Sequence, residues 1–271
     1  MISLEDSYQD IMNKAMRGAA MTAEMLAEQS GVATSDIVAF REGAFSETVA
    51  RKIAPVLGLH PDAYVDCGLG AWKPAETTVE GVYQFHNSQG MEPNLYLVFH
   101  KESRTAIAFD TGDDASELLA AVEALGCGLT AILITHTHRD HIAALGSIQL
   151  KHPTAHLYVG ELEPIQSAEL VVDGQVLNFG GLTIECRLTT GHSVGGITYV
   201  ISGFERPVAV VGDAMFAGSM GGGMISWADA LRTNREKIFT LPDETLLCPG
   251  HGPLTTVGEE KRHNPFYPEF K

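Results

Sequence analysis

The segment AILITHTHRDHIAAL narrows the choice of fold more than any other part of the chain. The aliphatic run from Ala131 to Thr135 has the length and branching of a strand, and it ends directly in His136, His138, Asp140 and His141. At this composition a chance match to His-x-His-x-Asp-His has odds on the order of one in a thousand, so an ordinary decorated loop is a poor account. Side chains two apart in extended chain point the same way, so His136 and His138 can grip one ion. Asp140 and His141 are adjacent and diverge, which suits a second ion. Asp140 also has a plainer reading, as the N-cap of the helix that follows.

One loop cannot fill two coordination shells. Three further residues follow strand-like runs in the same manner: His192 in RLTTGHSVGG, Asp213 in VAVVGDAMF and His251 in LLCPGHGP. Each lies beside glycine (Gly191, Gly212, Gly250, Gly252), which lets backbone approach a crowded site. Taken singly, such a residue is more often a hydrogen-bonded turn residue. The weight comes from the set of four loops.

The rest of the chain supplies a frame for these loops. NLYLVFH, TAIAFD, AHLYV, TIECRLTT and ITYVIS read as further strands, and SELLAAVEALG, the stretch after Asp140, and ISWADALRTNREKIFTL read as helices. Strands mixed with helices over about two hundred residues predict a layered α/β domain. The first seventy-odd residues differ. MTAEMLAEQSGV, ATSDIVAFREG and SETVARKIAPVLGL are amphipathic, with Gly31 and Gly43 as stops, Thr34 or Ser35 as a cap, and Pro55 distorting the third. CGLGAWKPAE then reads as a linker. A helical unit over 1–74 and an α/β unit over 75–271 are expected, with no internal repeat.

Charge removes several function classes. Lys plus Arg number 18 against 34 acidic residues, a net charge of −16, which disfavours broad electrostatic binding to nucleic acid or an anionic membrane. No apolar run approaches the ~20 residues of a membrane helix. The acidic start MISLEDSYQD lacks the features of a secretory signal, so a cytoplasmic chain is expected. Cys67, Cys127, Cys186 and Cys248 show no CxxC spacing and read as reduced, partly buried thiols.

HTHRDH, TTGHSVGG, VGDAMF and CPGHG, in this order, resemble the metallo-β-lactamase superfamily over roughly residues 80–271. The resemblance implies an αββα sandwich with a pair of metals at one edge. Carried over by position, His136, His138 and His192 would bind the first metal. Asp140, His141 and His251 would bind the second, and Asp213 would bridge them. True β-lactamases of this fold typically have cysteine where Asp213 stands, and the diiron flavoproteins usually have glutamate at the position of His138. The tail CPGHGPLTTVGEEKRHNPF resembles instead the short type II glyoxalases, which lack the helical C-terminal domain that longer relatives use to hold glutathione. The implied activity is hydrolysis of a thioester such as an S-2-hydroxyacylglutathione by hydroxide held between two divalent cations, with Asp140 as a second-role proton acceptor. Imidazole with carboxylate suits zinc, with iron and manganese as alternatives. The same resemblance carries a runner-up, a persulfide dioxygenase with one iron on His136, His192 and Asp213. All seven ligand positions can survive in such enzymes, so the ligand motif does not separate the two.

LAEQSGV, TSDIVAFREG and ARKIAPVLGL resemble the helix-turn-helix of the phage-repressor (XRE-like) family over about residues 20–65. DNA binding, and hence a metal- or thiol-responsive regulator, is the corresponding functional reading. Against it, residues 1–73 hold six basic side chains and ten acidic ones, and the segment Thr34–Glu42 offers one arginine and two acids. A module that packs on the enzyme, dimerises or binds a protein partner is the expected alternative. Asp110 in FDTGDD is expected to support the metal loop from behind. GSMGGGMISW lacks the Lys-Ser/Thr of a phosphate loop and suits the edge of a substrate channel. His60, His86, His100, His152, His156 and His263 have no ligand context and are read as surface or satisfied core residues.

Overall fold

The computed structural model describes residues 2–86 and 93–271. Two six-stranded sheets face one another. The first runs β1 (Val82–His86), β2 (Asn94–His100), β3 (Thr105–Phe109), β4 (Leu129–Leu133), β5 (His156–Gly160), β6 (Glu169–Val171) in spatial order. The second contains β7 (Val176–Phe179), β8 (Leu182–Leu188), β9 (Ile197–Ser202), β10 (Val208–Gly212), β11 (Leu246–Pro249) and β12 (Thr255–Thr256), also laid side by side in chain order. Pairing is parallel along β3–β4–β5–β6 and between β10 and β11, and antiparallel elsewhere. Parallel neighbours need covered faces, and the burial of every residue of β3 and β10 agrees.

The inner faces close on one another through Tyr96, Ile107, Phe109, Leu133, Ile184, Tyr199 and Val210. The outer face of the first sheet is covered by α6 (Ser116–Ala124) and α8 (Leu145–Lys151), through Leu118, Val122 and Ile148. A short α7 (Arg139–Ile142) precedes α8. The second sheet's outer face is covered by α9 (Trp227–Lys237) and α10 (Val257–His263). The expected layered α/β architecture is therefore present.

Among the described residues five helices lie ahead of the sheets: α1 (Tyr8–Gly18), α2 (Ala23–Ser30), α3 (Thr34–Arg41), α4 (Glu47–Ile53) and α5 (Pro61–Leu69). The three expected from sequence are α2 to α4. Gly31 ends α2 in the left-handed region, as read. Pro55 does more than distort the third stretch: α4 stops at Ile53 and a turn carries the chain to Leu59, because proline offers no N–H to continue the ladder. α1 falls within the expected helical unit but outside the three amphipathic stretches; Ser7 and Asp10 form its capping box, and Tyr8, Ile11, Met12, Ala15 and Met16 make a buried stripe.

The helical unit does not stand apart. Ile11, Leu26, Phe40, Ile53 and Tyr64 belong to one buried cluster with Val200, Val211 and Leu247 of the second sheet. The intervening segment is itself pinned: Trp72 stacks on His263 at 4.7 Å and donates its indole N–H to Glu259 at 2.9 Å.

Candidate metal centre

The four loops singled out by sequence leave the ends of β4, β8, β10 and β11 and meet at one edge of the sandwich. All seven residues come together there. His136 Nε2 and His192 Nε2 each lie 3.0 Å from His138 Nδ1. Asp213 Oδ2 stands 3.3 Å from His192 Nε2 and 4.0 Å from His136 Nε2. On the other side, Asp213 Oδ1 lies 3.3 Å from His141 Nε2, and Asp140 Oδ2 lies 3.6 Å from His141 Nε2 and 3.2 Å from His251 Nε2. Asp213 thus faces both groups. Asp140 lies within α7 and not at its N-cap, which is His138.

These spacings have a chemical meaning. Donors at the corners of a tetrahedron about 2.0–2.1 Å from a zinc-sized ion stand about 3.3 Å from each other. His141 Nε2 and Asp213 Oδ1 are also buried with no hydrogen-bond partner among the described residues. Buried polar atoms are rarely left so, unless something not made of protein satisfies them. The residues present therefore fit a pair of cations.

Tautomers are set from behind. Asp110 is almost fully buried, and its carboxylate accepts from Thr135 N (2.7 Å), from the Thr135 hydroxyl (2.7 Å) and from His141 Nδ1 (2.8 Å). The Thr135 oxygen, its own proton given to Asp110, is left to accept from His136 Nδ1 at 3.1 Å. His192 Nδ1 donates to the Gly222 carbonyl at 3.0 Å. Each of these bonds turns an Nε2 lone pair toward the cluster. The support expected from Asp110 is found, and the glycine-rich loop proves to anchor His192 as well as to edge the cleft.

Charge states follow from the same contacts. Burial holds His136 and His192 below the usual imidazole range, which keeps them neutral and able to ligate. Burial also works against a charged His141, but the carboxylates of Asp213 and Asp110 outweigh it and raise that imidazole. Partial burial opposes ionisation of Asp140, yet the hydrogen bond from His251 and the nearby His141 bring it down to about 2. Burial raises all four thiols, Cys67 and Cys186 to about 12, so none is a thiolate nucleophile at neutral pH.

Backbone closeness is built in by glycine. A Cβ on Gly250 would fall 2.1 Å from Asp213 Oδ1 and 2.7 Å from His141 Cε1. Some supports escaped sequence reading. Glu163 accepts from Thr137 N (2.7 Å) and Gly195 N (2.9 Å), tying the first histidine loop to the one that follows His192. Asn94 donates to the carbonyls of Pro249 and Gly252, bracing the His251 loop. No local pattern marks either residue. The remaining histidines join no ligand cluster among the described residues; His60, for instance, caps α5 through Ala63 N.

A cleft of about 910 Å³ opens in front of the cluster, bordered by Lys14, Arg17, Arg139, Phe216, Gly222 and Trp227 among others. Among the described residues no helix is long and apolar enough to cross a membrane.

The model of the metallo-beta-lactamase superfamily matches residues 90–251. The hydroxyacylglutathione hydrolase GloC of Haemophilus influenzae is 29% identical over 201 residues, covering 65% of this chain and 92% of its own. The human mitochondrial persulfide dioxygenase ETHE1 is 30% identical over 178 residues, covering 63% and 69%. The crystal structure of ETHE1 from Myxococcus xanthus superposes with a TM-score of 0.63 at 27% identity, over 69% of this chain and 84% of that one. Since the match spans more than half the chain and contains all seven clustered side chains, this protein belongs to the metallo-beta-lactamase superfamily.

Proposed function

We propose that this protein hydrolyses a thioester of the S-2-hydroxyacylglutathione type with two divalent cations, zinc in first place and iron or manganese as alternatives. His136, His138 and His192 would hold one cation, Asp140, His141 and His251 the other, with Asp213 between them. The observation that carries the reading is the pair of orphaned buried atoms, His141 Nε2 and Asp213 Oδ1, at the centre of two complete donor sets. Bound there, the cations would supply a hydroxide nucleophile at neutral pH and stabilise the oxyanion that develops on the carbonyl.

The chain's own groups do the rest. The Asp140 carboxylate borders the cleft and stays ionised, so it can orient the attacking water and accept its proton. Burial excludes bulk water from His136, His141 and Asp213. A thiolate leaves without strong acid assistance, so the reading does not call on Glu5, the further carboxyl that borders the cleft. Support also comes from the likeness to GloC and from the CPGHGPLTT tail.

Metal content per chain, measured with turnover of a panel of acyl thioesters, tests the proposal. Two equivalents and metal-dependent hydrolysis are expected. Asp213→Ala should lose the paired metals and most turnover; a variant that keeps both metals and near-normal activity refutes the mechanism. The second reading, a one-iron persulfide dioxygenase, draws on the likeness to ETHE1 and on the grouping of His136 and His192 with Asp213. Oxygen uptake with glutathione persulfide, set against hydrolysis of lactoylglutathione, separates the two.

We assign the N-terminal helices to the enzyme and not to DNA. Arg41, the one arginine of α3, donates its Nε–H to Asn13 at 3.1 Å, and α1 faces the cleft. A low-salt gel shift should find no sequence-dependent binding.

A further inference from the structure

The cleft in front of the cluster carries a charge pattern unlike the rest of this acidic chain. Lys14 and Arg17 reach it from α1, and Arg139 reaches it from α7. Among the described residues, Glu5 is the acidic side chain on its wall besides Asp140 and Asp213. Lys14 is already engaged. It pairs with Asp6, donates to the Met220 carbonyl at 2.8 Å and sits 4.9 Å from the centre of the Phe216 ring. These contacts fasten α1 to the loop behind the metal cluster.

Arg17 and Arg139 differ. Both are exposed, and among the described residues neither guanidinium has a hydrogen-bond or ion-pair partner. Arg17 is one turn beyond the anchored Lys14, so its origin is fixed while its head is free. The end of α1 is held close by Gly18: a Cβ there would lie 2.2 Å from Trp227 Cδ2, on a residue that also lines the cleft. Two guanidiniums without partners among the described residues border one cavity, in a chain of net charge −16, and have the sign that suits an anion.

Resting on the thioesterase reading, we propose that Arg17 and Arg139 form a specificity subsite for an anionic group on the thiol half of the substrate. The reacting carbonyl must lie at the metal cluster. A short 2-hydroxyacyl group ends there, so the portion that extends to the rim is the thiol. The helical unit would then serve as part of the substrate wall, supplied from the N-terminal side of the catalytic fold. The shared chemistry is a carboxylate or phosphate oxygen pair that accepts two parallel N–H bonds. A peptide thiol would offer carboxylates, and a pantetheine-type thiol would offer phosphates.

The test compares one acyl group on three thiols: glutathione, coenzyme A and the uncharged N-acetylcysteamine. kcat and KM are measured for the full-length wild type, Arg17→Ala, Arg139→Ala and Arg17→Lys. In each alanine variant the kcat/KM ratio of an anionic to the neutral thioester should fall about tenfold, through KM. Arg17→Lys should recover part of the ratio, and added salt should lower it in the wild type. The anionic thiol whose ratio falls identifies carboxylate or phosphate as the natural group. Calorimetric binding of S-methylglutathione and S-methyl-coenzyme A gives a readout independent of turnover and should weaken in the same variants. Unchanged ratios and unchanged binding in both alanine variants overturn the subsite and leave the hydrolase standing. If the wild type cleaves no thioester while thioether binding still depends on Arg17, the hydrolase falls and the anion subsite survives.

Discussion

Asp110→Asn isolates the element on which the metal centre's readiness depends. Asp110 has a φ of +54°, in the left-handed region, and asparagine is among the few residues that tolerate it, so backbone strain is not introduced. The asparagine oxygen can still accept from Thr135 N. Its amide N–H groups, however, would face the Thr135 hydroxyl and His141 Nδ1, both of which now donate to a carboxylate at 2.7 and 2.8 Å. His141 escapes the clash of two donors by moving its proton to Nε2, the atom that the second donor set needs. Loss of such a supporting carboxylate costs about 10–100-fold in metal affinity, or roughly 1.4–2.7 kcal/mol. One effect runs the other way: without Asp110 the His141 imidazolium deprotonates more easily, which favours metal binding at low pH. The assay is therefore chelator competition at mildly alkaline pH, where His141 gains least from that relief. One of the two metals should weaken by that factor while the other holds, and turnover should fall with it. Wild-type affinity for both metals would refute the claim that Asp110 sets the His141 tautomer.

Two further outcomes follow from the packing. Gly250→Ala would press a methyl group 2.1 Å from Asp213 Oδ1, and a displacement of that kind should lower turnover on the order of a hundredfold while the circular dichroism spectrum is kept; near-normal kcat would show that the loop has slack. Glu260 is fully buried, accepting from Gly218 N, the Thr255 hydroxyl and Asn264 Nδ2, and burial pushes it from the ordinary 4.5 up to about 7. Between those pH values the folded chain holds a proton that the unfolded chain has released. Stability therefore falls as pH rises through this window, by roughly 3 kcal/mol from this group. Urea denaturation across the range should show that slope in the wild type relative to Glu260→Gln; parallel curves would contradict it.

Much of the candidate centre is legible in sequence because the side chains that cluster there are local to strand ends. A run such as Ala131–Thr135 declares a strand by its own branching, and the next residues must emerge at the sheet's edge wherever that sheet sits. The same holds for His192, Asp213 and His251. Glycine beside each one marks a place where backbone has to come close. The weakly patterned edge strands β1, β6 and β7 were not legible, because exposed or half-buried positions impose little alternation.

What sequence alone determined, then, was which side chains gather at one edge as candidate ligands, and the layered frame, since both are written in spacings of a few residues. Tertiary structure alone decided what stands around them. Glu163 meets Thr137 from 26 positions away, and Lys14 meets Met220 from 206. No short-range pattern encodes such pairs, because they arise only when separate hydrophobic faces close on one cluster. That closure joins Phe40 and Tyr64 to Val211 and Leu247, and it brings α1, with Arg17, to the mouth of the cleft.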